Sequence, residues 1–155
     1  MGKLHRSVGD ELTLYVRQLA WLQATPKPPK GSRAAGVADQ SPRKSRADVF
    51  KARKIEPPMP PNPLPHVLRW FTEMGISEAA GMGSAPLSWV TIDAWQRITG
   101  TRLSPWEARL IRSLSVAYLA ESREAEDENR PAPWSAVSSA PERNAELAQL
   151  VSVLG

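Results

Sequence analysis

The chain has no cysteine among its 155 residues, which excludes a disulfide framework and any thiolate metal site. Histidine is nearly as scarce. His5 and His66 stand far apart, and neither has carboxylates at ligand spacing. Long apolar runs are missing too: the stretch from Leu12 to Leu22 is interrupted by Arg17 and Gln18. It therefore reads neither as a signal peptide nor as part of the roughly 18-residue run that spans a membrane. These absences predict a protein of a reducing, aqueous compartment with no membrane partner. No nucleophile stands with a base and an orienting group, so the sequence predicts no catalytic residue, no metal and no cofactor. Asp93 and Glu107 are the carboxylates best placed for acid–base work. Both lie near helix starts, where capping and the helix dipole already account for them.

Proline and positive charge are abundant by contrast. Six of the fifteen prolines fall between Pro57 and Pro65. The net charge of +4 is distributed as +7 over residues 1–56, +1 over 57–120 and −4 over 121–155. This division predicts an amphipathic N-terminal helix over residues 1–24, a basic and then proline-rich linker over 25–63, a helical core domain over 64–122, and an acidic linker with a short amphipathic helix over 123–155. The expected fold class is all-α: a small domain of three to four short helices with flexible, charged arms.

In the first segment Ser7 and Asp10 have the spacing of an N-cap, and Leu12, Tyr15, Val16, Leu19 and Leu22 recur at helical intervals. Nine Lys/Arg lie between Thr25 and Lys54 with no aromatic among them before Phe50. That composition fits a solvated linker better than a nucleic-acid arm, which would interleave stacking platforms with its cations. "PPMPPNPLP" then imposes an extended, stiff spacer.

In the middle of the chain Val67, Leu68, Trp70, Phe71 and Met74 share a face, and Gly75 stops the helix. "GISEAAGMGSAP" reads as a glycine-punctuated loop, because no strand precedes Gly81-Met82-Gly83 and no Gly-Lys-Ser/Thr follows. Ser88 caps a helix carrying Trp89, Ile92 and Trp95, and Gly100 ends it. In "LSPWE", Ser104 and Glu107 form a capping box with Pro105 at the first helical position. Trp106, Leu110, Leu114 and Tyr118 continue as an apolar stripe, with Trp106 expected to face Trp95 and Leu110. In the tail, Leu147, Leu150, Val151 and Leu154 share one helical face. Trp95, Ser104, Pro105, Trp106, Glu107, Leu110, Leu114 and Tyr118 are thus structural positions. Trp70, Trp89, Leu147, Leu150, Val151 and Leu154 are the candidates for partner binding.

The string "APLSWVTIDAWQRITGTRLSPWEARLIRSLSVAYLAES", with Trp70-Phe71 and the Gly81–Pro86 loop upstream, resembles the tail assembly chaperones encoded near the tape measure gene of long-tailed phages and prophages. The resemblance covers roughly Pro63 to Ser122 and rests on packing and capping residues. It implies a non-enzymatic factor of the host bacterial cytoplasm that holds the tape measure protein soluble and recruits the major tail tube protein. Two other readings stand beside it. One is a nucleic-acid-binding accessory protein using the basic arm over 25–54; the other is a tail or head–tail component kept in the virion.

Overall fold

A computed structural model describes residues 2–31, 42–135 and 151–153. Among these, five helices and one hairpin are complete: α1 (Gly2–Gln23), α2 (Arg46–Ala52), α3 (Pro65–Glu73), β1 (Ser77–Ala80), β2 (Gly83–Pro86), α4 (Trp89–Thr99) and α5 (Pro105–Glu124). No helix among the described residues is long and apolar enough to cross a membrane.

The longest helices, α1 and α5, form the main helix pair of the molecule. Leu12, Val16 and Ala20 recur every fourth residue of α1 and are fully buried, so one line of that helix faces the core. His5 meets Trp106 near the starts of the two helices, and Gln23 meets Tyr118 near their ends. The two helices therefore run parallel. The core joins Leu12 and Val16 to Val67 and Phe71 of α3, Leu87 between the hairpin and α4, Ile92 and Trp95 of α4, and Leu110, Ile111 and Leu114 of α5. Residues on both sides of the proline-rich stretch thus share one apolar cluster.

α1 begins earlier than the Ser7–Asp10 pattern suggests. Ser7 lies inside the helix, where its hydroxyl donates to Glu11 Oε1 at 3.4 Å. The basic stretch contains α2, started by a Ser45–Asp48 capping box. α2 ends in a Schellman turn: Lys54 takes φ +55°, its amide donates to Lys51 O, and the amide of Ile55 reaches back to Phe50 O.

The expected all-α class is corrected by the hairpin. Residues 77–86, read as a loop, pair antiparallel from Ser77↔Pro86 to Ala80↔Gly83. Gly81, at φ +56°, opens the two-residue turn, the place where a hairpin most needs glycine. The strands are short and lack β-branched residues, so what holds them is tertiary. The buried Ser115 hydroxyl of α5 donates to Ile76 O at 2.5 Å and accepts from the Leu87 amide at 2.9 Å, pinning both ends of the hairpin.

Two side chains tie the ends of the long helices to the rest. Arg46, the first residue of α2, is buried, and its guanidinium donates to Trp21 O, Ala125 O and Asp127 O while lying 4.5 Å from the Trp21 ring centroid. Parallel helices bring two negative dipole ends together, and a cation bonded to carbonyls of both relieves that. Gln18, fully buried in α1, donates to Pro58 O at 2.8 Å and accepts from the Trp134 amide at 3.1 Å. The proline-rich segment and the stretch after α5 are both held to α1 in this way.

Candidate partner-binding surface

α4 is apolar on more than one side. Ile92 and Trp95 turn into the core, whereas Trp89, Val90 and Ile98 are 53%, 76% and 85% exposed. Val90, Ala94 and Ile98 stand four residues apart and so form one outer ridge. On another side of α4 the Arg112 guanidinium lies 5.6 Å from the Trp89 ring centroid, and Val116, one turn further along α5, is exposed as well. Single exposed apolar residues are ordinary. An exposed tryptophan beside an arginine, next to further aliphatic side chains, has the composition of a protein-binding hot spot.

The start of α4 fixes where Trp89 stands. The Ser88 hydroxyl accepts from the Thr91 amide at 3.2 Å. The Glu78 carboxylate in turn accepts from the Ser88 amide at 2.8 Å and from its hydroxyl at 2.9 Å. Hydrogen bonding from Thr91, then from Ser88, holds the Glu78 carboxyl below its ordinary range. The hairpin and the ridge-bearing helix are therefore joined by a charge-assisted cap. At the hairpin tip Met82 is fully exposed.

The other residues singled out by sequence are dispersed. Trp70 is half-buried, edge-on to His66 at 5.1 Å and 6.2 Å from Trp95, so it belongs to the margin of the core. Trp95, Leu110 and Leu114 are buried core residues, and half-buried Tyr118 donates its hydroxyl to Gln23 Oε1. Ser104, Pro105 and Glu107 start α5 with a complete capping box. Trp106 stacks on His5 with ring centroids 4.8 Å apart, and its ring lies beside Gly9; the aromatic partner of Trp95 is Trp70. The Asp93 carboxylate pairs with Arg97 at 2.5 Å within α4. Leu147, Leu150 and Leu154 lie outside the described residues, while Val151 is helical and exposed. Val90, Ile98, Met82 and Val116 were not among the sequence candidates. A four-residue recurrence on α4 was the available signal for the first two.

Among the described residues no group of three or more His, Asp or Glu side chains is arranged to hold a metal ion. What the surface offers chemically is apolar area with one cation, suited to binding an amphipathic segment of another chain.

Residues 47–120 match the model of a phage tail assembly chaperone family, just under half of the chain. The match takes in most of α2, all of α3, the hairpin and α4, and most of α5, so it contains the Val90–Ala94–Ile98 ridge and also Trp89, Arg112 and Val116. This is the family that the tryptophan-rich string resembles. Comparison with curated proteins and with solved structures gives no match.

Proposed function

We propose that the protein is a non-enzymatic phage tail assembly chaperone that binds the tape measure and major tail tube proteins in the host cytoplasm. Its contact is the exposed apolar surface of α4, Trp89 together with the Val90–Ala94–Ile98 ridge. The observation that carries this reading is the family match over residues 47–120, within which the ridge lies. The Val90–Ala94–Ile98 ridge, and Trp89 with Arg112 on another side of the same helix, supply exposed apolar anchors and one charge for an amphipathic client. The basic-arm reading loses two of its cations: Lys27 pairs with Glu126 at 3.0 Å and Arg46 is turned inward.

The test is co-expression with a tape measure protein of a long-tailed phage. The native chain is expected to move that protein into the soluble fraction. The triple variant W89S/V90S/I98S is expected to melt as the native chain does and to lose the effect. A tape measure protein equally insoluble with and without the chain overturns the proposal. Mass spectrometry of purified virions distinguishes a chaperone, which is missing from the particle, from a structural component.

A further inference from the structure

A second surface lies on α2, away from the α4 ridge in sequence and built from different chemistry. Pro26, Val49, Phe50 and Ile55 wall a groove of about 190 Å³, and Val49 and Ile55 leave 38% and 52% of their surface exposed. Lys44 and Arg53 also line it, and both are exposed. The groove is smaller than the roughly 300 Å³ at which small-molecule sites begin, so it suits an anchoring side chain better than a whole cofactor.

Its charge is one-sided. Residues 42–56 carry six cations and two carboxylates. The Asp48 carboxylate is engaged in the Ser45 capping box, and Arg46 is turned inward to three carbonyls. Arg43, Lys44, Lys51, Arg53 and Lys54 remain, all exposed, against the single carboxylate of Glu56, and Lys44 and Arg53 border the apolar floor. That floor is set by structure: the Schellman turn at Lys54 returns Ile55 towards Phe50, and the Arg46 clasp anchors the first turn of α2.

From this complementarity we infer that the α2 groove is a docking site for an acidic amphipathic segment of a partner protein, which inserts an aliphatic or aromatic side chain between Pro26, Val49, Phe50 and Ile55 and sets its carboxylates against Lys44 and Arg53. Single-stranded nucleic acid fits the same charges less well. Stacking sites use successive aromatics, and here Phe50 is the one aromatic of the groove, half-buried among aliphatic walls. An anionic lipid surface asks for a helix whose apolar face lies flat in the interface, whereas the apolar residues of α2 border a concavity. The inference does not rest on the chaperone reading.

The test uses the full chain and a fluorescein-labelled peptide of about 15 residues, with leucine at i, i+3, i+4 and i+7 and glutamate elsewhere. A lysine twin of that peptide, an oligo(dT) strand and phosphatidylserine vesicles serve as competing probes. The glutamate peptide is expected to bind at least about tenfold tighter than its lysine twin, and I55D and K44E/R53E each to weaken it about tenfold. V49D gives a second reading of the apolar wall, melting curves confirm that each variant is folded, and W89S on the other surface is expected to bind as the native chain does. The inference is overturned by no binding at about 1 mM peptide, by equal binding of the two peptides, or by binding that survives both I55D and K44E/R53E. It is overturned equally by loss of binding in W89S, by preference for the oligonucleotide or the vesicles, or by a dimer that I55D dissociates.

Discussion

Arg46 shows how much of this fold depends on single polar side chains. Its guanidinium bonds carbonyls near the ends of both long helices and stacks on Trp21. Burial lowers its pKa and the fields of Glu121 and Asp127 offset that only in part, so it is arginine's high intrinsic value that keeps the group a cation. R46A leaves three carbonyls without their donor and is expected to cost about 3 kcal/mol. The matching measurement is hydrogen exchange, with faster exchange at the Lys27 amide, whose bond to Glu126 O lies beside the clasp. Retained protection there would show that the clasp is dispensable. Glu78 gives a pH-dependent case. Its folded pKa is depressed, so its contribution is present above the unfolded value of about 4.3 and is lost as pH falls through the folded value. E78Q is expected to melt below the native chain at pH 7, with the difference closing on acidification below about pH 4. A gap that stays constant with pH would remove the charge from the explanation.

At the scale of elements, α1 carries a glycine in its interior. A Cβ at Gly9 would meet Leu110 Cδ1 at 3.6 Å and Trp106 Cζ2 at 3.8 Å, which is ordinary contact. G9A is therefore expected to stabilise the protein by up to about 1 kcal/mol, because alanine is the better helix former. Calorimetry should show a rise of about 3 °C in Tm, and a fall would place the two helices closer than described. The start of α5 was legible in sequence, since Ser104, Pro105 and Glu107 act within one turn and need nothing from elsewhere. The hairpin was not, because its four-residue strands of small and polar residues gain their hold from Ser115. α2 escaped for the same reason: seven residues are too few to show a helical period, and the clasp that anchors them is tertiary. Of the exposed apolar residues of α4 only Trp89 was legible, since a helix with apolar residues on more than one side does not announce which side is outside.

The whole molecule is organised by contacts between distant parts of the chain. Sequence alone suggested that Trp106 faces Trp95, its neighbour in sequence; instead it covers α1 at His5 and Gly9, about a hundred residues earlier. No local pattern encodes such a pairing, which is why a core confined to residues 64–122 was the natural reading. A chain ending at Gly100 lacks α5 and leaves Leu12, Val16 and Ala20 without their cover. It is expected to bind a hydrophobic dye and to show no cooperative melt by circular dichroism. A sharp transition in that fragment would mean that α1 folds against α3 and α4 without α5.

The pairing of α1 with α5 also has a consequence measured in time. Roughly 80 residues separate the end of one from the start of the other, which at about 5–20 residues per second is 4–16 s of synthesis. Throughout that interval the buried line of α1 lacks the helix that makes most of its contacts. A chain that matches a chaperone family thus begins as the kind of nascent segment that chaperones hold, and its own release waits for the last helix of its core to be made.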